Sequence, residues 1–360
     1  MREMKLRSVK DAPVTGKRVL VRVDLDVPLT GGHVLNDWRL RACVPTLELL
    51  HKRGAQNIIL LAHAGRPGGK VVEELRLAPV EARLRELTKV PFEMRENLRF
   101  DPREEANTPE FARELAALGD IFINEAFANS HREHTSIVGV AKLLPSFAGL
   151  NVEGEVARLS QALAPAPPNL AIIGGAKFET KEPLLQKLLA AYDEVLVGGA
   201  LGSDVLKSRG LPVGASLVAE VIAPISLAGE ARLLSPIDLM VVGEREARVA
   251  HTADVRAGEK IVDIGPQTAN EWGKKISRSQ FVLWNGPMGI YEEGYTQGTD
   301  ALAAAIVSAS CQALIGGSDT VAAVTKHSFD PKKVFLSTGG GAMLQFLVDG
   351  TLPGIEVLKK

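Results

Sequence analysis

The sequence predicts an α/β protein made of two doubly wound domains, each with a parallel sheet. Short apolar runs rich in Val and Ile recur along the chain, amphipathic stretches separate several of them, and 360 residues suit two domains better than one. The predicted strands are residues 19–23, 57–61, 120–123, 170–173, 194–197, 280–283, 313–315 and 334–336. The clearest predicted helices are residues 38–53 and 181–191.

A domain boundary is predicted near residues 164–168, which read Ala-Pro-Ala-Pro-Pro. Three prolines in four positions disfavour a helix and are typical of a linker or of the entry to a domain. We therefore place the first domain at residues 1–163 and begin the second at residue 164.

Composition excludes several classes of protein. Apolar residues make up 46% and charged residues 24% of the chain, as in globular proteins, and the net charge of −1 provides no overall attraction to nucleic acid or to an anionic membrane. The N-terminus lacks the apolar core of a signal peptide, and no apolar run approaches the roughly 18 residues of a membrane span. The two cysteines, Cys43 and Cys311, form no metal-binding pair, so we expect a reducing, cytoplasmic setting.

Polar residues follow most of the predicted strands, at the ends where α/β sheets bind their ligands. In the first half of the chain these residues are largely cationic. A lone surface arginine is usually just solvated, but arginines that gather at strand ends indicate a pocket for a small, multiply charged anion. The set is Arg22, Arg39, His63, Arg66, Arg99 and Arg132.

In the second half of the chain, glycines occupy the corresponding positions. Glycine pairs or triplets at 174–175, 198–199, 316–317 and 339–341 allow backbone N–H groups to approach an anion, and a helix starting near residue 340 would direct its positive N-terminus at phosphate. Lys177 and Lys181 offer point charges, and Asp319 offers a hard oxygen ligand for Mg²⁺. Glycine-rich turns taken alone are equally compatible with a purely structural role.

Several familiar signatures are missing from the sequence. It contains no G-x-x-x-x-G-K-[ST] P-loop, no G-x-S-x-G elbow and no H-E-x-x-H motif, and no G-x-G-x-x-G follows the first strand. These absences argue against P-loop enzymes, serine hydrolases, zinc proteases and dinucleotide dehydrogenases. Two different half-sites instead imply two ligands that meet when the domains close.

Eight segments resemble the motifs of phosphoglycerate kinases and occur in that family's order along nearly the whole chain. They are VLVRVDLDVP (19–28), AHAGRP (62–67), ENLRF (96–100), IGGAK (173–177), WNGPMG (284–289), GGSDT (316–320), STGGGA (337–342) and LPG (352–354). The resemblance implies a bilobal protein with two Rossmann-like domains joined by a hinge. It implies a phosphoglycerate-binding domain at 1–163, a nucleotide-binding domain at 164–340 and a segment at 341–360 that returns to the first domain.

The resemblance also implies a reaction and its residues. The reaction would be reversible, Mg²⁺-dependent phosphoryl transfer between 1,3-bisphosphoglycerate with ADP and 3-phosphoglycerate with ATP, in glycolysis. Substrate binding would fall to Arg22, Asp24, Asp26, Arg39, His63, Arg66, Arg99 and Arg132. Nucleotide binding would fall to Gly175, Lys177, Lys181, Gly198, Gly199, Asn285, Glu292, Gly316, Gly317, Ser318, Asp319 and Thr320, with Asp319 as the metal ligand. The catalytic groups would be Arg39, Lys181, Gly340 and Gly341.

Two positions differ from the family's usual pattern. Asp26 stands where the family has Asn, so a carboxylate would face an anionic substrate, and Ser318 replaces a third glycine beside the nucleotide phosphates. These differences motivate one alternative, a divergent paralogue of low activity that binds a nucleotide or a phosphoglycerate. Like most members of the family, the chain is expected to be a monomer with no nucleic-acid or membrane partner.

Overall fold

The computed structural model describes residues 4–175, 181–220, 224–244 and 246–360. The chain divides into two compact units. Unit 1 holds the residues up to Ser160 together with Asp349–Lys360, and unit 2 holds Gln161–Val348. From the sequence, the first domain was predicted to end at residue 163, and the chain was predicted to return to it from residue 341.

The elements are numbered along the chain. As far as residue 162 they are β1 (Arg18–Arg22), β2 (Leu29–Thr30), β3 (His33–Val34), α1 (Trp38–Lys52), β4 (Asn57–Leu61), α2 (Ala78–Leu87), β5 (Glu93–Met94), α3 (Pro102–Ala106), α4 (Pro109–Ala116), β6 (Ile121–Asn124), β7 (Ser146–Ala148) and α5 (Leu150–Ala162). Short 3₁₀ helices lie at Val9–Asp11, Glu73–Leu75, Leu98–Phe100, Phe127–Asn129 and Val140–Lys142, and a π-helical turn lies at Thr135–Gly139.

The remaining elements follow from residue 169 onward. They are β8 (Asn169–Ile173), α6 (Glu182–Ala191), β9 (Glu194–Val197), α7 (Gly199–Ser208), α8 (Ile225–Ala228), β10 (Leu233–Leu234), β11 (Asp238–Val242), β12 (Ala247–His251), β13 (Lys260–Ile264), α9 (Pro266–Arg278), β14 (Phe281–Asn285), α10 (Gln297–Ser308), β15 (Gln312–Gly316), α11 (Ser318–Thr325), β16 (Val334–Leu336), α12 (Gly340–Asp349) and α13 (Pro353–Glu356). Among the described residues of this part, 3₁₀ helices lie at Thr252–Asp254 and Tyr291–Glu293.

Unit 1 is built on a parallel sheet with the strand order β5-β4-β1-β6-β7. Its strands are buried on both faces. Val19 and Val21 pack into a core with Leu47 of α1, whereas Leu20 packs on the opposite face with Phe111 of α4. Helices therefore cover both faces, as expected for strands that read as continuous apolar runs.

Unit 2 repeats the plan with a parallel sheet in the order β10-β9-β8-β14-β15-β16. This is the strand order of a nucleotide-binding Rossmann fold, and the order reverses between β8 and β14. Between β10 and β14 the chain adds an antiparallel sheet, β12-β11-β13, whose Leu239 and Val241 pack on Leu206 of α7. The equivalent reversal in unit 1 lies between β1 and β6.

The predicted α/β class with parallel sheets is confirmed. The ends of each predicted strand lie within two residues of the ends of an observed strand. The sequence missed the short edge strands β5, β7 and β10, the β2–β3 hairpin and the antiparallel sheet. The missed edge strands and the hairpin strands have only two or three residues each, too few to carry a recognisable apolar pattern. Within the described ranges, no helix combines the length and apolar character needed to cross a bilayer.

Candidate active site

The central strands of unit 1 end side by side. In register, Arg22 at the end of β1 is paired with Leu61 of β4 and with Asn124 of β6. The segments that follow these strands therefore leave the sheet at one edge, beside the reversal of strand order where α/β sheets bind ligands.

Arg39 and two aspartates form one side of this edge. Arg39 lies in the first turn of α1, with its Nη1 atom 3.3 Å from Asp24 Oδ2, and it donates a hydrogen bond to the backbone oxygen of Asp26 (2.9 Å). Asp26 Oδ1 in turn accepts a hydrogen bond from the Gly65 N–H (2.8 Å). The Asp26 carboxylate thus holds the turn that carries Arg66.

Beneath this edge lies a buried cationic layer. Arg22 has no exposed area, and Arg99 and His63 are almost fully buried. Arg99 donates to the Gly65 oxygen (2.7 Å), and its Nε lies 3.2 Å from Glu105 Oε1. Burial, and then the charge of Arg22, holds the pKa of His63 well below its usual range, so the imidazole is neutral and the arginines carry the positive charge.

The rim of the patch is less constrained. Arg66 is exposed and Arg132 is half-buried, and neither side chain makes a hydrogen bond or ion pair with a described residue. Buried polar atoms without a hydrogen bond are rare in folded proteins, yet among the described residues this patch has two such atoms: Arg99 Nε, which lies 3.2 Å from the Glu105 carboxylate, and His134 Nδ1, which lies 3.8 Å from Glu104 Oε1. A ligand with several acceptor oxygens suits such a donor set.

In unit 2, glycine turns pack against one another at the carboxyl edge of the sheet. The Gly174 N–H donates to the Asn285 oxygen (2.9 Å), and the Gly175 N–H donates to the Pro287 oxygen (3.1 Å). A Cβ on Gly174 would stand 2.0 Å from the Pro287 oxygen, so only glycine fits there. The predicted glycines after β8, β9 and β14 are therefore neighbours.

Two helix N-termini begin within this cluster. Gly317, with φ +95°, joins β15 to α11, and a Cβ on Gly340 at the start of α12 would lie 2.9 Å from the Gly317 nitrogen. The Asn285 amide nitrogen is buried close by and has no hydrogen-bond partner among the described residues. Free N–H groups and aligned helix dipoles make this region attractive to phosphate.

Lys181 approaches the same turns from the start of α6. Its side chain is nearly buried, and its ammonium group donates to the Gly174 oxygen. Burial lowers the pKa of Lys181 to about 8.

A cavity of about 400 Å³ opens beside the cluster. Gly199, Leu217 and Ile290 contribute to its apolar wall, and Glu292 and Asp319 bring carboxylates to it. Such a cavity suits a flat aromatic group with polar substituents.

Asp319 fits a magnesium ion that is shared with a bound ligand. Its carboxylate stands in the first turn of α11, faces the cavity and pairs with no described cation. No group of three or more His, Cys, Asp or Glu side chains arranged to hold a metal occurs in the described ranges. Mg²⁺ commonly binds through one or two carboxylates, with phosphate oxygens and water completing the octahedron, so a single aspartate is an adequate protein ligand.

The sequence profile of phosphoglycerate kinases matches residues 9–95 and 92–350 of this chain. The chain belongs to the phosphoglycerate kinase family. A phosphoglycerate kinase of Moorella thermoacetica is 42% identical over 98% of both chains, and one of Roseiflexus castenholzii is 40% identical over 99% of both. Two solved phosphoglycerate kinases share the fold, one from Coxiella burnetii and one from Pyrococcus horikoshii, with TM-scores of 0.84 and 0.82 and identities of 34% and 25%. Each alignment covers 98% of this chain, 99% of the first structure and 98% of the second.

Phosphoglycerate kinases are phosphotransferases of glycolysis, and membership of the family makes this chain a kinase. It also implies 3-phosphoglycerate and ATP as small-molecule substrates, an adenine nucleotide as co-substrate and a general need for Mg²⁺.

Most of the residues expected at a phosphoglycerate kinase site gather at these two edges, with some exceptions. Arg22 lies beneath the patch, with all three guanidinium nitrogens bonded to protein atoms. The Thr320 hydroxyl is bonded to the Gly316 and Gly317 oxygens, so it holds the turn. Ser318 is exposed, and Lys177 lies outside the described residues.

Three residues that lie beneath or beside the two edges were not predicted from the sequence. Glu104 and Ser136 lie under the cationic layer, and Leu217 lines the cavity. In the sequence, Glu104 is simply a glutamate near the acidic start of a helix. Such a position does not indicate whether the side chain is buried.

Proposed function

We propose that this chain catalyses reversible transfer of a phosphoryl group between 1,3-bisphosphoglycerate with ADP and 3-phosphoglycerate with ATP. One observation supports the proposal: each parallel sheet has, at its reversal of strand order, an edge whose residues suit an anion, cationic in unit 1 and glycine-rich in unit 2. Two such edges match an acidic small molecule and a nucleotide.

In unit 1, the phosphoglycerate would be bound chiefly by Arg66 and Arg132, whose side chains have no partner among the described residues. Arg66 and Arg132 suit its phosphate, because guanidinium groups bind phosphate bidentately. Arg99 and His63 would contribute donors from the buried layer, and Asp24 would hold Arg39 in place.

In unit 2, the nucleotide would occupy the cavity beside the glycine cluster. Its base would lie against the wall that includes Gly199 and Leu217, and Glu292 would accept hydrogen bonds from the ribose. The phosphates would extend toward Lys181 and the N-termini of α11 and α12. Asp319 would hold Mg²⁺, which when bound neutralises phosphate charge.

In the direction that consumes ATP, a carboxylate oxygen of 3-phosphoglycerate would form a bond to the γ-phosphorus as the bond from that phosphorus to the β-phosphate oxygen of the departing ADP breaks. This reaction needs alignment and positive charge rather than a covalent intermediate on the protein. Arg39, Lys181 and the amides of Gly340 and Gly341 would stabilise the three equatorial oxygens. We expect hinge bending to bring the two ligands together, and a cytoplasmic monomer to be the working form.

The test is a coupled assay of ATP- and Mg²⁺-dependent phosphorylation of 3-phosphoglycerate, with Arg39→Ala beside Arg41→Ala. Loss of Arg39 should lower turnover by roughly 10³-fold, as for other arginines that stabilise transferring phosphoryl groups. Arg41 lies on the same helix, is exposed and pairs only with Asp37 among the described residues, so its loss should change turnover less than about twofold. No activity in the parent enzyme would refute the proposed reaction, and a loss below about tenfold in Arg39→Ala would refute the role of Arg39.

A further inference from the structure

A continuous series of hydrogen bonds runs beneath the cationic patch of unit 1. Glu104 of α3 has no exposed area, and its two carboxylate oxygens accept from the Ser136 hydroxyl (2.6 Å) and the Ser136 N–H (3.0 Å). The Ser136 oxygen accepts from Arg22 Nε (2.8 Å). Arg22 Nη2 then lies 2.9 Å from Nδ1 of His63. The series joins four buried side chains from four separate segments of the chain.

The chemistry of the last bond fixes the tautomer of His63. A guanidinium group can only donate, so Nδ1 of His63 must be the acceptor and carry no proton. The neutral imidazole then carries its single proton on Nε2. That nitrogen lies 3.7 Å from Asp26 Oδ2, at the partly exposed edge of the patch. His63 therefore presents an N–H donor on the side away from Arg22.

Arg22 cannot itself reach a ligand. It has no exposed area, and besides Ser136 and His63 it donates to the Val23 oxygen. Any influence of Arg22 on a bound molecule must pass through a neighbour, and His63 is the neighbour that reaches the edge. In the same way, Glu104 and Ser136 can act only by holding Arg22.

We propose that Glu104 and Ser136 are positioning residues which, through Arg22, keep His63 in its Nε2–H tautomer so that it donates a hydrogen bond to the bound phosphoglycerate. This inference rests on the proposed binding of phosphoglycerate by unit 1. The negative charge of Glu104 also balances Arg22 in a layer that is otherwise cationic, because an unpaired buried guanidinium would be costly. The Nε2–H group suits an acceptor oxygen of the ligand, such as a carboxylate or hydroxyl oxygen.

The tautomer can be measured directly in the free enzyme. Long-range ¹H–¹⁵N NMR of histidine-labelled protein distinguishes the two tautomers, and a His63→Asn spectrum assigns the signals. The wild-type enzyme should show His63 with its proton on Nε2. A proton on Nδ1 would overturn the proposal without any variant being needed.

Ser136→Ala and Glu104→Gln should disturb the tautomer and weaken substrate binding. We expect the Nε2–H tautomer of His63 to fall to about one tenth of the population, and the KM for 3-phosphoglycerate to rise about tenfold in proportion to the lost competent fraction. The value of kcat should change less than about threefold. Ser136→Thr keeps the hydroxyl and should restore both readouts, whereas Glu110→Gln, an exposed change on the neighbouring helix α4, should alter neither.

The possible outcomes distinguish a failure of this inference from a failure of the proposed function. Thermal unfolding and circular dichroism first identify variants that fold. An unchanged tautomer in a folded Ser136→Ala or Glu104→Gln variant overturns the positioning role. A shifted tautomer with an unchanged KM overturns the donation from His63 to phosphoglycerate but leaves the proposed reaction standing, because that reaction fails only if the parent enzyme shows no activity in the coupled assay.

Discussion

Burial decides how the charged residues of both sites behave. In unit 1, His63 and His134 are neutral because they are buried beside arginines, and the pKa of His134 falls to about 3. In unit 2, the Lys181 ammonium donates to a backbone oxygen and is nearly buried, and this burial lowers its pKa to about 8. Positive charge is therefore permanent at the arginines of unit 1 and dependent on pH at Lys181.

The pKa of Lys181 predicts an alkaline limit to the reaction. The ammonium form is present below about pH 8 and is lost above it, so the kcat/KM for ATP should fall roughly tenfold per pH unit above that value. The profile of kcat/KM reports groups of the free enzyme, and measuring it from pH 6.5 to 10 provides the check. Lys181→Arg should be less active yet flat over this range, because guanidinium does not titrate there. A wild-type profile that stays level up to pH 9.5 would contradict the assignment.

At the scale of elements, the nucleotide edge depends on two helices that begin almost in contact. The start of α12 lies so close to the turn before α11 that residue 340 has no room for a side chain. Gly341 differs, since a Cβ there would meet nothing within 4 Å. Packing therefore requires glycine at position 340, whereas no steric contact requires it at position 341.

This contrast predicts that alanine at these two positions has different effects on the stability of unit 2. Gly340→Ala forces a Cβ to 2.9 Å from the Gly317 nitrogen and should lower the free energy of unfolding of unit 2 by about 1–3 kcal/mol. Gly341→Ala should leave it unchanged or raise it by up to about 1 kcal/mol, because alanine favours the helix. Urea unfolding of both variants in a Trp38→Phe background, followed by the fluorescence of Trp272 and Trp284 of unit 2, measures the difference. Equal stability of the two variants would refute the packing argument.

At the scale of the whole molecule, the chain passes from unit 1 to unit 2 and back again. Its last residues, Asp349–Lys360, complete unit 1. The Gly354 N–H donates to the Ser130 oxygen (2.8 Å), and the Asn124 amide donates to the Gly354 oxygen (3.2 Å). The C-terminal segment thus supports the loop that carries Arg132.

Truncating a buried side chain in this segment should destabilise unit 1 although the change lies at the far end of the chain. Ile355 has no exposed area, and Ile355→Ala should cost about 2–5 kcal/mol. Hydrogen exchange should accelerate in β6 and in residues 127–132, and β8 and β14 should keep their protection. Glu356→Ala, an exposed change beside it, is the matched control and should leave exchange in β6 unaltered. Equal acceleration in β8 and β14 would contradict the division into units.

By itself, the sequence determined the kinds of element and the residues that follow the strands. Continuous apolar runs identify strands buried on both faces, and glycine or charge identifies where each strand stops, because both signals depend on neighbouring residues alone. For that reason the α/β class could be predicted, and the candidate site residues could be assigned to the ends of strands.

Only the tertiary structure decided how those residues act. Arg22 was expected to bind the substrate but is buried and bonded to protein atoms, and one of its partners, Ser136, lies 114 residues further along the chain. The supporting roles of Glu104 and Ser136 and the tautomer of His63 likewise depend on contacts between distant segments. Local patterns encode burial and strand ends, whereas the partner of a buried charge is set by which distant segments the fold brings together.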